Sequence, residues 1–427
     1  MSLSLRLEIG AQRRPSAIRK SSGTAAAQFL PVIGRSLVFT TKSGRRRGFL
    51  PALVLLLAVT PPCCVRAQDK TSDLFMQAVA ARFYAWDLDH NQALSMAELD
   101  VAIKDPANTG RPAAALAALK RASLSTDCTL PPLTFNNIRE LVSRPPAKHQ
   151  PNLARLYLEG LRRINSLTKG QLFASSLPRL ETIRQGRIGD CFCLAPIGAM
   201  VHRDPHEVAS MFSMAGDYHC VVRIGPASVV VAVPTDAERA TGKLANNGQD
   251  GLWVNLYEEA MGQLHNSLKL PDQQSYSPIE AIADGGSAGK IISFLTGHKV
   301  SGFSLGFGKN STAPAALIDT RLASLRRKLA DATGQKRLVT CSTERPATPG
   351  LTPRHVYALL AYDPINDTID LWNPHGNDFT PKGLPGLTNG YPTRNGLFTM
   401  PVPEFVQLFS GMAFEDPELA ARSLAFH

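Results

Sequence analysis

The sequence has few cysteines for its length. Seven occur in 427 residues, and only Cys128, Cys191, Cys193, Cys220 and Cys341 lie beyond residue 67. So sparse and odd a set excludes a disulfide scaffold and leaves at least one thiol unpaired. Long apolar runs are lacking too. The stretch Phe49–Val59 (FLPALVLLLAV) is too short for a bilayer, which needs about 20 residues. A basic domain is also missing. The formal charge is +11, but residues 1–67 hold eleven Lys/Arg and one acid and so carry +10 of it. The rest is nearly neutral, which excludes nucleic acid as the partner of a basic domain. His202, His206, His219, His265 and His298 have no partners at zinc-ligand spacing. Gly285-Gly286 is too short for a phosphate cradle. No internal repeat or low-complexity tract interrupts the chain beyond its N-terminal region.

What is present begins with a leader at residues 1–67. Arg45-Arg46-Arg47 precede the apolar run, and Val65-Arg66-Ala67 ends in a small residue. That order predicts a signal peptide and an exported protein, secreted or periplasmic. Its rival is an uncleaved anchor, because Pro51, Pro61 and Pro62 flank or interrupt the run and Arg66 weakens the cleavage site. Any membrane attachment then comes through the leader alone. Three regions follow. Residues 72–143 show helical periodicity, with apolar residues at 75, 76, 79, 80 and 83 and an Ala/Leu-rich run from Pro112 to Ala122. Residues 144–151 (RPPAKHQP) hold three prolines and read as a linker. Residues 152–427 form a larger unit, helical first and then strand-rich. Its strand-like runs are Cys220–Ile224, Ser228–Val233, Arg337–Ser342, His355–Tyr362 and Thr368–Trp372, with a hairpin turn at Asn366-Asp367. Helices followed by strands predict an α+β fold.

Residues 87–98 read DLDHNQALSMAE. Oxygen-bearing side chains occupy positions 1, 3, 5, 9 and 12: Asp87, Asp89, Asn91, Ser95 and Glu98. Ala93, at position 7, offers its carbonyl. This spacing wraps oxygens around Ca²⁺, with Glu98 able to give two. The loop resembles an EF-hand, entered by a helix carrying Phe83 and Trp86. It departs from that family at position 6, where Gln92 replaces glycine; a non-glycine residue at positive φ costs on the order of 1 kcal/mol. Leu133-Thr134-Phe135, leading into the helical pattern of Asn136–Leu141, reads as a degenerate partner without ligands.

Residues 185–194 read QGRIGDCFCL. Gly186, Gly189 and Asp190 read as loop and capping residues, and a buried helix follows. Cys191 therefore sits at a helix N-terminus, where the dipole and free N–H groups lower a thiol's pKa. Pro196 falls in the first turn or so. His355 opens the strand HVYALLAYD, and Asn373 follows the strand IDLW. Two strands joined by a tight turn bring their ends together, so asparagine can orient the histidine. The Cys191 N–H and the Gln185 side-chain amide are candidate oxyanion donors. Cys193, Cys220 and Cys341 read as small buried residues, and Glu258 and Glu259 as a solvated helix face.

Four blocks now carry a family resemblance. Gln185-Gly186-x-x-Gly189-Asp190-Cys191, Leu252–Ala260 (LWVNLYEEA), Arg354-His355-Val356-Tyr357 and Trp372-Asn373-Pro374-His375-Gly376 resemble, in order, the blocks of calpain-type, papain-like cysteine proteases. The resemblance covers roughly residues 155–410. It implies a two-lobed papain-like fold, a helical lobe plus an antiparallel β lobe, preceded by a small all-α EF-hand-like domain. It implies Cys191 as nucleophile, His355 as base and acid, Asn373 as orienter and Gln185 as oxyanion donor. It also implies protein or peptide substrates and a role for Ca²⁺ in aligning the lobes. The chain departs from the family at Phe192, where the family carries Trp, and at Cys193, which replaces a bulky aromatic. His375 stands where a Trp normally shields the histidine–asparagine bond. A calcium-dependent cysteine endopeptidase is the first reading. The alternatives are a catalytically silent calcium-dependent binding module that keeps the fold, and a thiol transferase or amidase using the same triad.

Overall fold

A computed structural model of the chain describes residues 62–420, apart from 167–170, 175–176, 247, 249, 276, 284 and 308–313, with side chains from residue 70 onward. Most of the leader, residues 1–61, therefore lies outside the described residues.

The first region is built on one apolar helix. Its elements are α1 (Pro62–Ala80), α2 (Phe83–Trp86), β1 (Ala93–Leu94), α3 (Met96–Lys104), α4 (Gly110–Ser123), β2 (Leu133–Thr134) and α5 (Phe135–Ser143). Alanine and leucine fill α4, so Ala113 to Leu119 is buried on every face. A helix apolar all round has to be wrapped. Phe75, Ala78 and Val79 of α1 and Leu99 and Ile103 of α3 do part of this. The rest comes from beyond the proline-rich stretch at 144–151. Leu153, Leu156, Tyr157 and Ile164 of α6 (Leu153–Ser166) and Ala237 and Ala240 of α9 (Asp236–Thr241) belong to the same core. Polar contacts follow the same path. The Thr235 hydroxyl donates to the Ile103 carbonyl at 2.6 Å, and the Gly110 N–H donates to the Asp236 carboxylate at 2.9 Å. The proline-rich stretch is irregular, and the Thr129 N–H donates to the His149 carbonyl at 3.0 Å.

A second core surrounds α7 (Cys191–Arg203). It contains side chains of α8 (Pro205–Ala209), α10 (Trp253–Ser267) and α12 (Ala288–Thr296), and Ile282 just past α11 (Pro278–Ala281). An antiparallel sheet of β3 (Phe212–Met214), β4 (His219–Ile224) and β5 (Ala227–Ala232) closes one side. The third core lies under a six-stranded antiparallel sheet. Its order is β10 (Leu397–Pro401), β9 (Thr368–Trp372), β8 (His355–Asp363), β7 (Val339–Thr343), β11 (Phe409–Leu419) and β6 (His298–Ser304). Helices α13 (Ala315–Gly334) and α14 (Val402–Leu408) pack on it. Ala358 and Trp372 of the sheet join the core around α7, so that helix is seated on β8 and β9.

Mixed helix and antiparallel sheet is what the sequence pattern predicts. The β8–β9 hairpin turns at Asp367 (φ 51), whose carboxylate Arg326 grips at 3.0 and 2.7 Å. Strands β3, β6, β10 and β11 carry no clear strand pattern in the sequence. Gly302 interrupts β6, and Glu415, Asp416 and Pro417 make β11 look like a loop. Glu415 is nonetheless buried, because Arg203 and His298 hold it at 3.1 and 2.6 Å. Among the described residues no helix is long and apolar enough to cross a membrane.

Candidate active site

The turn 185–190 is shaped by close approaches. A side chain at Gly186 would collide with the Lys243 carbonyl, its Cβ only 1.9 Å away. The Gly189 N–H donates to the Ala283 carbonyl at 2.8 Å. Helix α7 then starts at Cys191, with the Asp190 carbonyl accepting from the N–H groups of Cys193 and Leu194 at 2.8 and 3.1 Å. Two sequence expectations are corrected here. The Asp190 side chain does not cap the helix; it is fully buried and turns inward. Pro196 is the sixth helical residue, past the first turn, and removes an N–H that would bond the Phe192 carbonyl. Gly198 lets the helix lie against Trp372, whose ring would be 2.3 Å from an added Cβ.

The Cys191 side chain meets the start of β8. The Val356 N–H is close enough to favour the thiolate form, and Val356 is the neighbour of His355. The thiol does not have the lowered pKa expected of a helix N-terminus. Burial pushes it above the ordinary value, against the Val356 N–H and the N–H groups of its own turn. His355 is 4% exposed. One ring nitrogen, Nε2, lies 2.8 Å from the Asn373 Oδ1. The asparagine is held in that sense from behind: its Nδ2 donates to the Asn377 Oδ1 at 2.9 Å, and its Oδ1 also accepts the His375 N–H at 3.0 Å. Nε2 is thus the protonated nitrogen, and Nδ1 keeps the lone pair that can take a thiol proton. Burial, aided by the neighbouring His375, pushes the His355 pKa down to about 3, against the Asn373 bond. Thiol and imidazole are both neutral at rest.

His375 replaces the shielding Trp of the family pattern. Its ring lies 4.4 Å from that of His355, and Tyr357 meets the histidine edge-on at 5.1 Å. Gln185 is anchored by its N–H to the Pro374 carbonyl at 2.8 Å, beside the asparagine loop. Its Nε2 donates to the Ile188 carbonyl at 2.9 Å, so the amide is turned into its own loop. Cys193, Cys220 and Cys341 are buried, and the five described cysteines are free thiols.

Glu258 and Glu259 are not a solvated face. Glu258 is 0% exposed, and burial, then Glu238 nearby, pushes Glu259 up to about 8. Sequence reading missed Glu258 although a signal existed. Val254, Tyr257, Glu258 and Met261 follow the i, i+3, i+4, i+7 spacing of one buried stripe, and Glu258 lies within it.

The acidic loop at 87–98 brings together some of its expected ligands. Oxygens of Asp87, Asp89 and Glu98 lie within 4.8 Å of one another, with Asp87 and Glu98 buried. Gln92 adopts φ 67, the left-handed turn expected of position 6. Its N–H donates to the Asp87 Oδ2 at 2.9 Å, and the Leu88 N–H donates to the Glu98 Oε1 at 2.7 Å. The Ser95 N–H, with its hydroxyl, holds the Glu98 carboxyl below the usual carboxylate range. Asn91 bridges Asp89 and the Ala93 N–H at 2.8 Å each. Ser95 differs from expectation: its hydroxyl caps α3 and donates to Glu98, forming a capping box. β1 pairs with β2, Ala93 opposite Thr134 and Leu94 opposite Leu133. Oxygen donors, two buried carboxylates and a left-handed sixth position fit a calcium ion.

A family model described as calpain family cysteine protease matches residues 148–383, more than half of the chain. That span contains Gln185, Cys191, His355 and Asn373 and excludes the acidic loop. No curated protein matches the chain in sequence.

Proposed function

Because the chain belongs to the calpain family of cysteine proteases, we propose that it is a calcium-dependent endopeptidase working through Cys191, His355 and Asn373. The observation carrying this reading is the 2.8 Å bond from His355 to Asn373, with the Cys191 thiol near the Val356 N–H next to that histidine. His355 Nδ1 takes the Cys191 proton as the sulfur bonds to the peptide carbonyl carbon. The oxyanion is held by the Cys191 N–H and by Gln185, once its amide turns from Ile188 toward the cleft. Protonated His355 gives its proton to the departing amine as the C–N bond breaks. Water, deprotonated by the same histidine, then hydrolyses the thioester. The Asn373 bond keeps Nε2 protonated throughout, which fixes the tautomer each step needs.

Asp87, Asp89, Asn91, the Ala93 carbonyl and Glu98 would hold calcium in an EF-hand-like loop, with Ser95 bracing Glu98. A bound ion neutralises carboxylates that otherwise face one another. Helix α3 leaves this loop and joins α9 through Ile103 and Thr235, which supports a route by which the loop steadies the protease.

Cleavage of an unfolded protein substrate by wild type and C191A, with calcium and with a chelator, tests the reading. The expected result is cleavage by wild type in calcium, lost in C191A and reduced at least tenfold by chelation. The neutral resting pair and the inward Gln185 amide favour the second reading, a silent binding module. Stoichiometric alkylation of Cys191 without cleavage of any substrate would select it. Peptide–amine cross-linking in place of hydrolysis would select a transferase.

A further inference from the structure

Asp190 and Glu258 take no part in the steps above, yet they adjoin the nucleophile in the interior. Both are 0% exposed, and their carboxyls lie against each other. Neither Asp190 oxygen receives a well-formed bond from an N–H or O–H donor among the described residues, although the Gln185 amide is close by. Glu258 accepts the Ala245 N–H at 2.9 Å on each oxygen and the Asn255 Nδ2 at 3.3 Å. Its free hydrogen-bonding capacity therefore faces Asp190. Other groups facing the pair are the Cys191 and Cys193 thiols of α7, the Tyr257 hydroxyl of α10 and the Arg163 guanidinium of α6. Two adjacent buried carboxylates resist being ionised together; one proton between them removes the repulsion and fills the missing bond.

The pair also joins two parts of the site. Through Ala245, Glu258 holds the segment that bridges to Arg184, where the Asn246 N–H donates to the Arg184 carbonyl at 2.7 Å. Arg184 precedes Gln185. Through Asp190, the same side chain holds the residue before Cys191. We propose that Asp190 and Glu258 share one proton at neutral pH, and that this latch fixes the nucleophile turn against the Gln185 segment, making Glu258 a positioning residue. The proposal rests on Cys191 being the reactive thiol. Burial pushes the Asp190 pKa up to about 7, and burial together with Asp190 pushes Glu258 well above the usual carboxylate range, so the pair holds a proton that two separate carboxyls would lose.

The test is the pH dependence of Cys191 alkylation by iodoacetamide, mapped by mass spectrometry on the full chain, for wild type, E258Q, E258A and D190N. An amide donates permanently where the proton was shared. E258Q and D190N should keep the wild-type rate within about threefold at pH 7 and overtake it as pH rises, by at least fivefold once the wild-type pair loses its shared proton. E258A should lose more than tenfold throughout. If one amide variant fails to fold, the other gives the same reading. Superimposable profiles of wild type and amide variants, or amide variants as slow as E258A at pH 7, would overturn the proposal. Because alkylation needs no substrate, absent cleavage with this pattern intact would reject the protease reading and keep the latch.

Discussion

In the proposed mechanism the chemistry turns on His355, and its burial sets testable behaviour. With a folded pKa near 3 against an ordinary 6.5, the unfolded chain binds a proton there that the native chain refuses. The histidine's contribution to stability is therefore intact above pH 6.5 and falls as pH drops toward 3, by about 1.4 kcal/mol per unit. Denaturant titrations at pH 7 and 5 should show this loss in wild type and a smaller one in H355Q. In the proposed mechanism N373A keeps nucleophile and base but frees the ring, so we expect kcat to fall about 10²-fold with KM little changed. In the same mechanism Q185A removes one oxyanion donor, so we expect a fall of about 10²–10³ in kcat. Cys191, His355, Asn373 and Gln185 could be read as neighbours because each sits in a short local pattern whose strand ends or helix start fixes its place. Asp190 and Glu258 could not. Their meeting is tertiary, and a carboxylate in an amphipathic-looking helix is ordinarily solvated.

At the scale of elements, the hairpin β8–β9 and helix α7 were legible, and the outer strands were not. β8 is an apolar run closed by a turn residue, whereas β11 hides its strand character behind Glu415, which Arg203, His298 and the Leu338 N–H make tolerable in the interior. The acidic loop carries backbone strain that gives a handle. Gln92 at φ 67 carries a cost that glycine does not. Q92G should bind calcium more tightly than wild type in a calorimetric titration, by about fivefold. Calcium at 100 times its Kd should stabilise the folded chain by about 2.7 kcal/mol, seen as a rise in Tm. Combined D87N and E98Q substitutions should abolish that rise.

Across the whole molecule, the sequence suggests a small helical domain tied to a protease by a proline-rich linker. The structure places α4 in a core completed by Tyr157 of α6 and Ala240 of α9, beyond that stretch. The pattern of prolines marks where regular structure stops, and it carries no information on which side chains meet across the gap. Deleting residues 70–143 should therefore expose Leu156, Tyr157 and Ala237 and lower the stability of the protease region. Equilibrium unfolding of the full chain, followed by Trp fluorescence and far-UV dichroism, should give one coincident transition; two well-separated transitions would show that the core is not shared.

The central claim, that Cys191 is a nucleophile served by His355, is tested most directly by trapping the acyl-enzyme. A good peptide ester is mixed with the protein in calcium, quenched in acid within milliseconds, and the protein digested for peptide mass spectrometry. The acyl group should be found on Cys191 in wild type, accumulate more slowly in H355A, and be missing in C191A. An unmodified Cys191 during active turnover, or turnover undiminished in C191A, would contradict the account.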